Sequence, residues 1–262
     1  DVYRNIINAI SGNVDENGAS VDPSVNEYWV DHVSDGNIYP NTFCSESNPC
    51  DASTPEKFDA LMRSFPENAE IHILSGIYAT EGYDIYSAEA RTTSSLRSKG
   101  WSPKNGWKII GAGIDVTSIK LVNASRSNTS GNSYSVIGNC WDCVTNNFDL
   151  SYLTVDGNMA NQPNQSWGTA GIAVHGIGVQ GNNTTLTHFK VLNYGTNNPN
   201  VEGFGVFSQA GHVSYGDITN MAIEDCIVNN PHPGSARETT AIAHAGNAGN
   251  RDIRGFLVNG SI

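Results

Sequence analysis

The stretch that decides the fold is LTVDGN, residues 153–158, because its apolar triplet keeps returning. FKV stands at 189–191, CIV at 226–228 and FLV at 256–258, at intervals of 36, 37 and 30 residues. A second series falls between them: SVIG from 135, IAVH from 172, GVFS from 205 and IAHA from 242, at intervals of 37, 33 and 37. Two interleaved strand series with one shared period describe a coil that returns to the same faces on every turn. Each triplet is too short to bury its inner side chains alone, so stability must come from stacking turn upon turn. IHILSGIY at 71–78, KIIGAG at 108–113 and SIKLV at 118–122 carry the same faces toward the N-terminus, so the stack is expected to begin near residue 70. A βαβ topology is excluded, since the segments between strands lack a helical apolar period.

Upstream, YWV at 28–30 reads as a strand. Ser53 or Thr54 is placed to cap a helix that Pro55 opens, and Phe58, Leu61, Met62 and Phe65 fall on one face before Pro66 ends it. This short helix, over about 55–65, is expected to cover the open end of the stack, where unpaired backbone invites edge-to-edge association. Residues 1–27 hold a brief helical pattern (Val2, Ile6, Ile7, Ile10) and then Gly12, Gly18 and Pro23, and read as an arm leading into one domain over 28–262. The chain starts at Asp1 without Met and stops at FLVNGSI in a strand-type segment, so it is expected to be a processed or excised piece whose natural sequence continues.

The order YWVDHVSDGN (28–37), a cysteine-flanked loop, a short helix, IHILSGIYAT (71–80), WKIIGAGIDVTSIKL (107–121) and LTVDGN (153–158) resembles the opening of secreted proteins of the pectate-lyase-like superfamily. The resemblance spans roughly residues 28–260. It implies an all-β fold, a right-handed parallel β-helix (solenoid) with a short N-terminal capping helix. Ser75 stands where a "PGTY"-like turn has proline. Activity is not implied, because the superfamily holds lyases, glycoside hydrolases, epimerases, phage tailspikes and non-catalytic surface proteins. The polygalacturonase combination of Asn-Thr-Asp, double Asp, Gly-His-Gly and a basic tripeptide is absent. WVDH at 29–32 is similar to the WIDH of calcium-dependent pectate lyases but precedes the helix, where that motif does not belong.

A formal net charge of -12 and no basic run exclude sequence-independent nucleic-acid binding, which needs clustered Lys and Arg. No apolar stretch reaches the roughly 18 to 20 residues that span a bilayer. Cys44 and Cys50 bracket a polar loop suited to a local disulfide in an oxidising compartment, in keeping with a secreted or cell-surface location. Cys140 and Cys143 form a lone CxxC, read as a second disulfide or as plain thiols rather than a zinc site, and Cys226 reads as a buried thiol.

Polysaccharides lie along the flank of such a coil, so site residues should project outward from successive turns. The outward positions beside the two series are Asp156, His175, Lys190, Asn193, Glu224 and Asp225. Loops 202–215 and 230–239 add Glu202, His212, Tyr215, His232, Arg237 and Glu238. Hydrolysis and β-elimination both need a positioned acid and base, and elimination of a uronate also needs a cation beside its carboxylate. His175, His212 or His232 supplies the base, Arg237 or Lys190 the cation and Tyr215 the proton, with Glu202 and Glu238 binding sugar. The insertion 81–105 gathers Arg91, Arg97, Lys99 and Lys104 with Tyr83, Tyr86 and Trp101, either a solvated loop or a wall on which Arg91, Arg97 and Trp101 grip an anionic chain. Asp156 reads as a turn carboxylate, Asn158, Asn193 and Asn229 as stacked turn asparagines, and His244, aligned with Val174, as inward-pointing. No loop repeats a metal-ligand spacing, so no metal site is assigned; Asp, Glu and Asn oxygens leave calcium open, and no cofactor is required. The leading reading is a secreted carbohydrate-active protein acting on an extracellular polysaccharide as a lyase or glycoside hydrolase. Its rival is a non-catalytic structural or adhesive module, a surface spacer or filament subunit that self-associates through its C-terminal edge.

Overall fold

The computed structural model describes residues 26–36, 44–84, 100–123, 133–139, 143–162, 173–196, 203–210, 218–229, 231, 239–246, 253–254 and 257–259. The expected arm over residues 1–27 lies outside them but for its last two residues. Strands β1 (Glu27–Asp31) and β2 (Cys50–Asp51) come first, then helix α1 (Pro55–Ser64). Next follow β3 (Glu70–Ile73), β4 (Gly76–Thr80), β5 (Tyr83–Asp84), β6 (Lys108–Gly111), β7 (Thr117–Leu121) and β8 (Ser133–Gly138). After them come β9 (Asp149–Asp156), β10 (Ala173–Gly178), β11 (Thr184–Leu192), β12 (Gly195–Thr196) and β13 (Gly203–Ala210). The last are β14 (Ile218–Thr219), β15 (Met221–Asn229), β16 (Thr239–Gly246), β17 (Ile253–Arg254) and β18 (Leu257–Asn259).

Ten strands make one sheet, ordered β18-β15-β11-β9-β6-β3-β1-β2, with β4 joined to β7 and β7 to β9 beside that path. A sheet of six runs β16-β13-β10-β8-β5, with β12 on β10. Pairing is parallel throughout the first, and in the second only β5 and β12 are antiparallel. A parallel neighbour cannot be reached by a tight turn, so the parallel strands are joined by long connections. The molecule is thus mostly β, with parallel sheets and one described helix, consistent with a parallel β-helix. The interior lies between the sheets: Leu153, Phe189 and Val191 of the first share one buried cluster with Val136, Val174 and Val206 of the second. The approach is closest at Gly176 and Gly205, where a Cβ would come within 2.3 Å of Val191 and Val228. Any larger residue there overpacks the core.

The register follows the sequence period through LTV, FKV and CIV of the first series and departs from it elsewhere. Leu153, Phe189 and Cys226 form one row, as expected. The final interval of 30 is overturned, because Leu257 pairs with Ala222, 35 residues earlier. In the second series Ser135 pairs with His175, 40 residues on, and Ile177 with Val206, 29 on, so SVIG matches HGIG at 175–178 rather than IAVH. Apolar composition alone cannot separate two overlapping frames in such a strand, and the turn lengths decide. The row of Ile177 runs through Val206 to Ile242, so His244 pairs with Ser208 and does not align with Val174.

The turns leading into the first sheet are held by asparagine. Asn147, Asn183 and Asn220 have left-handed φ of 56°, 54° and 58°. Each of the latter two donates its side-chain amide at 3.0 Å to the Oδ1 of the one before. Beside them, Asn146 Oδ1 accepts from Asn182 N, and Asn182 Oδ1 from Thr219 N. Asparagine suits this position because it tolerates left-handed backbone and offers both donor and acceptor. The expected stack of Asn158, Asn193 and Asn229 is not in register. Asp156, Leu192 and Asn229 share one row, Asn158 donates to Leu121 O and Asn123 Oδ1, and Asn193 donates to Asp156 Oδ1.

At the β1–β2 end, Thr54 caps α1 through Lys57 N at 3.3 Å, Pro55 opens the helix, and Phe58, Leu61 and Met62 are buried. Phe65 stacks on Tyr28 at 4.4 Å, so the helix packs against the first turn. The orphan carbonyls at its C-terminus are satisfied from the 81–105 segment: Lys104 Nζ donates to Arg63 O at 2.7 Å and to Phe65 O. Trp101 is wedged between Phe58 and Trp107. Cys44 and Cys50 are disulfide-bonded, and so is Cys143, to a partner outside the described residues. Cys226 is buried, as expected.

Candidate functional site

Parallel strands that must turn a corner need one residue per turn with left-handed backbone. The first sheet has such a corner inside β9, β11 and β15, at Tyr152 (φ 56°), His188 (φ 49°) and Asp225 (φ 47°). The pairing steps over these three: Ser151, Thr187 and Glu224 share the row before, Leu153, Phe189 and Cys226 the row after. Stepped out of the ladder, all three side chains stand in solvent. Each follows the corresponding ladder asparagine by five residues: Tyr152 after Asn147, His188 after Asn183, Asp225 after Asn220. The same backbone demand is met five residues apart by amides and then by a phenol, an imidazole and a carboxylate. For a bulky residue such as Tyr152 this conformation costs about 1–2 kcal/mol. Strain of this kind collects at functional sites.

The three side chains form one exposed column. The Tyr152 and His188 rings stack at 4.9 Å, and His188 Nε2 lies 3.6 Å from Asp225 Oδ2. Thr187 Oγ1, 2.8 Å from His188 Nδ1, fixes the imidazole from its own strand. Two residues along β11, Lys190 Nζ meets Asp115 Oδ1 at 3.2 Å, from the 112–116 segment joining β6 to β7. That segment borders the column, for Gly113 N donates to Tyr152 O at 2.9 Å. On the next outward row Lys120 Nζ lies 3.6 Å from Asp156 Oδ2. Asp156 Oδ1 accepts from Asn158 N, so the VDGN carboxylate holds its turn as expected. The column thus brings together a phenol, an imidazole and a carboxylate, all exposed, with Lys190 two residues further along β11.

Of the outward candidates, Asp225 is in this column, Glu224 is in the row beside it, and Lys190 lies two residues beyond His188 on β11. His175 is not in the column. It points away from the interior, opposite to neighbouring Gly176, yet it is 1 % exposed and is stacked on Phe204 at 5.2 Å and Phe207 at 5.4 Å. Its Nδ1 accepts from Phe204 N, and burial pulls the imidazole down to about 3, so it is neutral. This corrects the expectation of an accessible base: outward on the strand proved not to mean exposed. Trp101 is corrected for the same reason, being 1 % exposed in the core under α1. His212, His232, Tyr215, Arg237, Glu202, Glu238, Arg91 and Arg97 lie outside the described residues, as does the side chain of His244. Sequence reasoning passed over Tyr152 and His188, although each immediately precedes an aligned triplet, LTV or FKV.

No protein-family model matches this chain, and no curated protein matches it. Solved structures do. The A-module of the mannuronan C-5 epimerase AlgE4 of Azotobacter vinelandii is similar at 18% identity and a TM-score of 0.41, over 74% of this chain and 50% of its own. The AlgE6 A-module of the same organism gives 16% and 0.44, over 79% and 52%. Pectin methylesterase PemA from Erwinia chrysanthemi gives 12% and 0.37, over 88% and 66%. These are right-handed parallel β-helix proteins. The chain spans about half the length of the two epimerase modules.

Proposed function

We propose that this chain is a right-handed β-helix solenoid, secreted or displayed at a cell surface, that binds an extracellular polysaccharide along its flank and cleaves it as a lyase. The observation that carries the reading is the exposed Tyr152–His188–Asp225 column, in which residues capable of proton transfer occupy left-handed corners that asparagine fills five residues earlier. In the tautomer whose Nδ1–H donates to Thr187 Oγ1, His188 Nε2 is left as the base that takes the proton beside a uronate carboxyl. Asp225 then faces the imidazolium that forms. Lys190 is the cation for the carboxylate, exchanging Asp115 for substrate. As the bond from sugar carbon to glycosidic oxygen breaks, the Tyr152 hydroxyl returns a proton to the leaving oxygen.

The test is incubation with a panel of acidic and neutral polysaccharides, following unsaturated products and reducing ends. Unsaturated ends from a uronate polymer are expected, and His188→Ala should lose at least about 100-fold in kcat, the usual worth of a positioned base. Reducing ends without unsaturation would replace elimination by hydrolysis. No product from any polymer would refute the enzyme reading and leave the structural module, whereas a folded His188→Ala variant with full activity would remove His188 as the base.

A further inference from the structure

A second cluster lies on the outer face of the same sheet, at its first turn and on strands other than those of the corner column. Glu27 of β1 and Glu70 of β3 are direct partners in parallel register, and so are Trp29 and His72. Like charges opposite one another on adjacent strands repel. Here they also converge on one atom, since His72 Nε2 lies 3.0 Å from Glu27 Oε1 and 3.1 Å from Glu70 Oε1. One N–H can align with only one of those oxygens. Unprotonated, the nitrogen makes a third acceptor facing two others.

We propose that Glu27, Glu70 and His72 bind one divalent transition-metal ion, for which Zn2+ is the probe. Their ligand atoms all lie within 4.8 Å of one another, so each can reach a shared ion with small side-chain adjustments. Two carboxylate oxygens and one imidazole nitrogen form a donor set that Zn2+ accepts in tetrahedral geometry with water as fourth ligand. The three side chains are half-buried, which leaves that water an approach. Two neighbours orient these side chains. Trp29 stacks on the His72 ring at 4.2 Å and 11°, fixing the plane in which Nε2 points. Lys108 Nζ holds Glu70 Oε2 at 3.5 Å, leaving Oε1 for the ion. An ion here would fasten β1 to β3 across 43 residues of chain, next to the end on which α1 packs.

The test is calorimetric titration of the metal-free chain with Zn2+, and fluorescence titration with Co2+. One equivalent of Zn2+ is expected to bind, with a rise in Tm that grows with Zn2+ concentration. Glu27→Gln and His72→Ala should each weaken binding at least about tenfold. Co2+ should quench part of the tryptophan emission and Zn2+ should reverse the quenching. Trp29→Phe should remove the quenched component while retaining the Zn2+ stoichiometry. If His72→Ala fails to fold, Glu27→Gln decides, since it replaces one side-chain oxygen at the start of a strand. No saturable Zn2+ uptake, or uptake unchanged in a folded Glu27→Gln chain, would overturn the assignment.

Discussion

Asp59 gives the sharpest quantitative handle on this fold. It stands on the buried face of α1, 1 % exposed, where helix periodicity would place an apolar residue. Its Oδ1 accepts from the Thr80 hydroxyl at 2.6 Å and its Oδ2 from Glu81 N–H at 3.0 Å, while Thr80 Oγ1 accepts from Gly82 N–H at 3.1 Å. This chain of bonds ties the helix to the end of β4. Burial raises the Asp59 carboxyl more than the Thr80 and Glu81 hydrogen bonds and the Arg63 charge lower it, so it titrates at about 6 rather than 3.8. At about 1.4 kcal/mol per unit, the ionised form is held in the folded chain at a cost of about 3 kcal/mol. Between about pH 4 and 6 the folded state binds more protons than the unfolded one, so stability falls as pH rises through that window. Above it, the contribution of this group is flat. The perturbation is Asp59→Asn, which is neutral at every pH, and the assay is urea unfolding of both chains from pH 4 to 8. Subtracting the variant removes other titrating groups, including Asp31, which burial raises, and Asp51, which is about 2 because bonds from Lys57, Ser53 and Gly36 outweigh its burial. The advantage of wild type over variant should shrink by about 2.5 kcal/mol between pH 4 and 7. A difference that is flat, or that grows with pH, would refute the reasoning.

Further outcomes follow from the same contacts. Tyr152→Asn should relieve the left-handed strain and raise the unfolding midpoint by about 0.5–1 kcal/mol while abolishing polysaccharide turnover; a loss of stability would argue against strain at the corner. Asn182→Ala removes the acceptor of Thr219 N and the donor to Asn146 Oδ1, and should cost about 2–3 kcal/mol in urea unfolding, against a few tenths for an exposed asparagine outside the ladders. Replacing Cys44 and Cys50 together by alanine opens a loop of sequence separation 6 and should cost about 2 kcal/mol, read as a drop in Tm.

What the sequence determined by itself was the shared row of the first strand series and the helix that precedes it. Apolar triplets at one period can be buried only by stacking, so LTV, FKV and CIV had to lie in one row, and Thr54, Pro55 and the Phe58–Phe65 face had to make a helix there. Those are local or periodic signals, and chain connectivity does not blur them. The frame of the second series was decided only in three dimensions: overlapping apolar frames such as IAVH and HGIG read alike until a turn length selects one. Exposure was likewise decided there. His175 points outward on its strand and is nevertheless sealed between Phe204 and Phe207, whereas Tyr152 and His188 reach solvent because a left-handed corner lifts them off the ladder. The grouping of Glu27 with Glu70 and His72 was equally invisible along the chain. Residues more than 40 apart become neighbours only through parallel register, which one linear sequence encodes no more directly than it encodes the length of each turn.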